Sequence, residues 1–263
     1  MTFTAAFRRT WLSTRRAYPL TLSAPILIMG AAGLALSYLA YRAIGGGQVS
    51  AEFVRRAGTG DYLSFVAVGT AAYVFTVRLL LWIGRAPVQE QREGALGARL
   101  IAPGGRLAHL AGLTAFAALL SLIEVTGLVV AALALGASLA PADPLLAAAG
   151  MVLVALFVFG MGVLMCCMTL VTGDLYAIQN TTIYALGALS GFIFPVGLLP
   201  GPVRALAEWL PLTAAMDVLR AGMHGTSLPY GRALSSLAVS LAIALAGLAL
   251  LPRAQRRAME RSY

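Results

Sequence analysis

Long apolar runs alternate with short polar stretches along this chain, and the runs have the length of membrane helices. About 20 consecutive apolar residues cross a hydrocarbon layer, which predicts six spans near 20–41, 62–83, 107–135, 145–171, 175–198 and 233–251. Ahead of them, residues 2–16 put Phe3, Phe7 and Trp11 on one side of a helix, with Arg8, Arg15 and Arg16 around it. That is the pattern of a helix lying on a membrane surface. One stretch breaks the rhythm. Residues 187–225 begin as a span, break at Pro195, pass Pro200-Gly201-Pro202, and resume after Pro211 with Leu212, Met216, Leu219 and Met223 at helical spacing. Thr213, Asp217, Arg220 and His224 fall on the opposite side. So narrow a stripe predicts an interfacial helix. A helix broken at membrane depth persists only where protein or a wet cavity satisfies its freed backbone groups.

Composition agrees with the pattern. The 263 residues are 60% apolar and 11% charged, against about a quarter charged in soluble domains. The net charge of +9 sits in loops beside apolar runs, which suits anionic lipid and membrane topology rather than nucleic acid. Twelve arginines lie in the amino-terminal arm, the loop after the second span and the tail; six lie in the other loops. With an even number of spans, this bias places both termini in the cytoplasm. Residues 195–230 then form an outer re-entrant segment, with Asp217 and Arg220 facing water. Arg8-Arg9 before Trp11-Leu12 faintly suggests a twin-arginine signal. However, the apolar run that follows is longer than a signal core, and further runs come after it.

Every basic residue is arginine. A Walker loop and a Schiff base both need lysine, so any ATP that drives this chain must be bound by a separate subunit. Cys166 and Cys167 are adjacent and cannot form an ordinary bridge. His109 and His224 are far apart in sequence, and no metal-ligand spacing or catalytic motif appears. The residues give no positive sign of catalysis.

Several positions within and between the spans carry candidate chemistry. In residues 84–106, Pro87 suits a first helical turn, and Glu90 and Glu93 follow near the positive end of its dipole. Val88, Ala95, Leu96 and Leu100 supply a partial apolar face, while Gly94 and Gly97 each weaken the helix by about 1 kcal/mol. Such a marginal cytoplasmic helix is either a partner's docking element or a solvated loop. Arg78, five residues from the expected span end at 83, reads as snorkelling to the interface. Glu124 falls in the outer half of its span, too far along to pair with Arg78. It lines a path or contacts the re-entrant region, or it is an interfacial acid near the end of an overlong span. Phe157, Phe159, Met161, Met165, Phe192 and Phe194 suit packing better than a pliable pathway. Gly187 and Gly191 form a weak GxxxG pattern for close subunit approach.

Two regions together resemble the permeases of type-2 ATP-binding-cassette (ABC) transporters. The first is EQREGALGARLIAPGGRLAHLAG, in which Glu90, Glu93, Gly94, Leu96, Leu100 and Pro103 match; Ala95 and Gly97 stand where the family has threonine and glutamate. The second is Ser190-Gly191-x-x-Phe194-Pro195, then Leu199-Pro200, Leu210-Pro211-Leu212-Thr213 and Leu219-Arg220. The resemblance implies one all-α integral membrane domain over 1–263. It would have six transmembrane helices, cytoplasmic termini, an interfacial arm over 1–17, a coupling helix in 84–106 and re-entrant outer helices in 195–230. It further implies a second permease subunit, identical or paralogous, and separate ATPase subunits that bind ATP and magnesium. Those subunits would dock on the arm and on Arg85, Gln89, Glu90, Arg92, Glu93, Leu96 and Leu100. The transport path or gate would involve Glu124, Phe192, Phe194, Pro195, Leu212, Met216, Asp217 and Arg220. The implied task is export of a drug-like, lipidic or natural-product small molecule across a bacterial cell membrane, or of a polysaccharide or lipid-linked glycan. The rivals outside the family are a non-transport membrane assembly protein and a membrane-embedded enzyme.

Overall fold

Asp61 and Asp143 each start a long helix. The Asp61 carboxylate accepts from the Ser64 amide at 3.0 Å, and the Asp143 carboxylate accepts from the Leu145 and Leu146 amides at 3.0 Å. These side chains satisfy amides that a helix start leaves free. The computed structural model describes residues 3–17, 24–92, 94, 106–172, 175–228 and 230–260, and among them every regular element is helical. In chain order these are α1 (Phe3–Ala17), α2 (Ala24–Ala43), α3 (Ala51–Ala57), α4 (Tyr62–Arg92), α5 (Arg106–Ala134) and α6 (Pro144–Thr172), followed by α7 (Leu175–Leu189). A 3-10 turn (Val196–Leu198) then leads to α8 (Gly201–Trp209), α9 (Pro211–His224) and α10 (Tyr230–Glu260).

Among the described residues, five helices are long and apolar enough to cross a membrane: α2, α4, α5, α6 and α10. The expected fifth span is different. Its helix α7 ends at Leu189 after 15 residues, about 22 Å at 1.5 Å per residue, short of a hydrocarbon core of about 30 Å. The break therefore comes before Pro195, at Ser190-Gly191. Gly191 has φ +69°, the left-handed conformation that commonly ends helices and that glycine adopts without a Cβ penalty.

Helix α4 is the centre of the bundle. Of its most apolar window 83% is buried, against 11% for α2. Small residues set the closest crossings. Gly84 meets Met165 and Gly162 meets Ile83, so α4 and α6 run parallel. Gly160 lies on Ala244, and Gly247 lies on Val163, which brings α10 parallel to α6. α5 returns antiparallel to α4, and α1 packs on it, with Ala6 over Gly112 and Phe7 and Trp11 edge-on to Phe116. The aromatic side of the amino-terminal helix thus meets protein. α1, the end of α10 and the stems of the 93–105 loop lie at one end of the bundle. The opposite end, called outer below, holds α3 and the start of α6.

The second span also outruns its expected end. α4 continues nine residues past Ile83, with Pro87 inside it, so no separate helix begins at Pro87. Gly94, with φ +65°, donates its amide to the Gln91 carbonyl at 3.0 Å just after α4 ends. This glycine takes part in stopping α4 and is not a weak point within a coupling helix.

Candidate functional site

The outer end is built around the break after α7. Ending a helix inside the bundle strands carbonyls, and side chains from two elements meet those at the break and at the tip of the hairpin. The Arg220 guanidinium donates Nη2–H to the Phe192 carbonyl at 3.0 Å. Thr213 Oγ1 reaches the Leu189 carbonyl at 3.5 Å, and Ser236 Oγ donates to the Pro211 carbonyl at 2.8 Å. Gly69 on α4 makes room for this knot, because a Cβ there would overlap the Phe192 carbonyl. The condition for a broken helix at membrane depth is thereby met by protein groups.

Helix lengths give the depth of the feature. Ser236 lies six residues into α10 and Gly69 seven residues into α4, so Pro211 and Phe192 sit roughly 10 Å below the outer end at 1.5 Å per residue. The 3-10 turn lies beside Arg56 of α3. From there α8 descends to Pro211, and α9 climbs back until the Asp143 amide meets the Gly222 carbonyl at 2.8 Å. The hairpin expected between the fifth and sixth spans is present in this form.

Its surroundings differ from expectation. α9 is buried on nearly every side, not laid in an interface. Gly150 of α6 fits against the Leu219 backbone, and Gly222 of α9 fits against Ala147. A substituent at either glycine would force the two backbones apart. Leu212, Met216 and Leu219 are buried as the stripe required, but so is Thr213 on the opposite side.

Arg220 does not face water: it is 8% exposed, with its guanidinium 3.6 Å from the centre of the Phe65 ring. A cation over an aromatic face is stabilised by about 2 kcal/mol or more when desolvated. The sequence offered Arg220 as one of four polar residues on a helix face, and only the tertiary packing turns that face inward. Asp217 is half-buried and pairs with Arg232 of α10 at 2.6 Å. Phe192 is fully buried beside Tyr73, Pro195 is buried and Phe194 half-buried. Gly187 also packs on Tyr73 within this chain. The GxxxG pair thus serves an internal contact and a helix stop. Phe157 and Met165 belong to the core between α4, α6 and α10.

Arg78 and Glu124 are paired, contrary to the reading that kept them apart. Arg78 Nε donates to Glu124 Oε2 at 2.9 Å, and Nη2 reaches Oε1. Both side chains are buried, at 4% and 0% exposure. The misplaced end of the second span explains the error. Measured from the true ends, Arg78 is 14 residues from Arg92 and Glu124 is 18 from Arg106, so both fall near mid-helix. Burial between α4 and α5 then demands that each charge have a partner.

At the opposite end, Arg85 donates Nε–H to Gln179 Oε1 of α7 at 2.7 Å. Glu90 is 6% exposed and turned towards His109 of α5, while Gln89 is exposed. Glu93, Leu96 and Leu100 lie outside the described residues, as does the side chain of Arg92. The sequence reading missed Gly69, His109, Thr213, Gln179 and Ser236 as partners. A lone glycine or polar side chain inside an apolar stretch was their only local signal.

These features define a multi-pass helical membrane protein whose outer end is closed by a helical hairpin dipping into the bundle. The family described as ABC-2 type transporter matches residues 1–224, and the chain belongs to it. It is therefore a membrane component of a transporter. Over 97 residues it is 31% identical to the capsule polysaccharide export inner-membrane protein BexB of Haemophilus influenzae. That stretch covers 36% of this chain and 37% of the relative, so the match spans well under half of either protein.

Proposed function

We propose that the chain is the permease subunit of an ATP-driven exporter, paired with a second permease and with separate subunits that hydrolyse ATP. The observation that carries this is the outer hairpin, seated against α4 and α6 and held by Arg220 and Gly69, over residues the family match includes. Such a lid has something to release when the bundle rearranges. The docking surface for the ATPase is the 84–106 segment with the α1 arm, where Gln89 is exposed and Arg85 ties the stem to α7. The substrate class is a drug-like, lipidic or natural-product small molecule moved out of the cell. A second reading, export of a polysaccharide or lipid-linked glycan, is favoured by the likeness to BexB.

The test is co-expression with an ATP-binding-cassette ATPase found encoded next to it, followed by copurification and ATP hydrolysis in liposomes; the absence of such a neighbouring gene would itself count against the reading. Amphipathic compounds and lipid-linked oligosaccharides would be added in separate arms. The reading expects a stable complex whose hydrolysis one arm stimulates. A chain that retains no ATPase and leaves its hydrolysis unchanged would refute the proposal.

A further inference from the structure

The outer hairpin is unevenly seated. In α9, 11 of 14 residues are buried. In α8 Ala207 is buried and the other eight are not, and the 3-10 turn buries none. Leu206 and Trp209 are 66% and 88% exposed, so the apolar side of α8 points away from the bundle. A segment with few buried contacts is one that opens at low cost. The ends of this arm are jointed as well. Pro195, Leu199 and Leu210 have extended backbones, and neither α8 nor α9 begins with a side-chain cap.

Helix α3 supplies a fixed point beside the arm. Its Phe53 and Ala57 belong to one buried cluster with Leu34 of α2, Phe65 of α4 and Ala132 of α5. Gly58, which caps α3, sits against the Thr226 methyl just past α9, where a Cβ would come within 2.6 Å. α3 is therefore mounted on the bundle and on the exit of the seated helix. Arg56 reaches from it to the arm. A Cβ on Gly197 would lie 2.7 Å from Nη1 and 2.8 Å from Cδ of Arg56, so this side chain lies across the bare backbone of the 3-10 turn. Arg56 Nε also donates to Glu52 one turn back, which steadies it. We propose that Arg56 is a clasp and residues 196–209 are the moving part of the gate. Outward opening swings this arm off α3 about Pro195 and Leu210, while α9 stays seated against α6. This rests on the reading of the hairpin as a lid. The joint that yields is the one with least buried in it. A partly exposed arginine over a glycine parts more easily than α9 from α6, where Gly150 and Gly222 bring backbones together.

The test uses the full chain in a background where Cys166→Ala and Cys167→Ala remove the native thiols, spin-labelled in two pairs. Leu39→Cys on α2 is the common reference, paired with Leu206→Cys on α8 or with Ser227→Cys past α9; all three positions are exposed. In the purified parent both pairs are expected to give narrow distance distributions. Arg56→Ala removes the clasp, and Gly197→Val displaces it while keeping the pairing of Arg56 with Glu52. Each should add distances several ångström longer to the 39–206 distribution and leave 39–227 as it was. A general loosening would broaden both pairs and overturns the proposal, as does an unchanged 39–206 distribution in either variant. In the parent complex with the ATPase, MgATP and vanadate should lengthen 39–206 alone. Movement of both pairs, or of neither in a complex that hydrolyses ATP, also overturns it. If no ATPase is retained or no ATP is hydrolysed, the exporter reading fails, while the two variants still judge the clasp.

Discussion

A guanidinium and a carboxylate buried against each other are costly to separate and cheap to replace together. Arg78 and Glu124 are such a pair, at 4% and 0% exposure in the middle of α4 and α5. Removing one partner strands the other charge and costs about 3–5 kcal/mol, whereas replacing both by apolar side chains is often neutral or stabilising. Glu124→Leu is therefore expected to lower the thermal unfolding midpoint in detergent sharply. Adding Arg78→Met should recover most of that loss. If the double variant is no more stable than the single one, the pair is not what makes Glu124 necessary. Arg220 is a different case, since its nearest contacts are a carbonyl and an aromatic ring. Its burial makes it a fastener of the Phe192 backbone.

Between α6 and α9 the contact is made by what is missing. Gly150 and Gly222 let two backbones approach until any added Cβ would collide, and that approach seats the hairpin. Gly222→Val is expected to lift α9 from α6 without unfolding the long helices. In a thiol-free background, Leu212→Cys is buried and should resist maleimide; combined with Gly222→Val it should label readily. Equal labelling rates with and without Gly222→Val would show that the glycine crossing does not hold the hairpin. α7 teaches the same lesson from the other side. Its short length is tolerated because Thr213, Arg220 and Ser236 supply what a continuing helix would have supplied to its end and to the tip of the hairpin.

The molecule as a whole is a parallel core of α4, α6 and α10, with antiparallel α5 and α7 beside it and α2 on the rim. α1, the end of α10 and the stems of loop 93–105 share one end, and the arginine bias makes the cytoplasm the proposed side for it. The orientation has a direct check in intact cells. A cysteine replacing Leu206, an exposed residue on the outer helix α8, should react with an impermeant maleimide added outside. One replacing Gln91 should react only after the membrane is opened. The reverse pattern would invert the proposed direction of the whole bundle.

The membrane class, the approximate places of five long helices and a broken hairpin after the fifth apolar run were all legible in the pattern of residues. Those follow from local quantities: the length of an apolar run, the spacing of a stripe, the prolines and glycines that interrupt it. Ser190-Gly191 was also a readable stop, passed over in favour of Pro195. The partners came from packing. Where α4 ends fixed the depth of Arg78, and with it the pairing to Glu124. How closely α6 approaches α9 turned the polar face of Arg220 and Thr213 inward, where a surface position had been read. Partnership depends on which helices touch and at what register, and no period within a single helix records that.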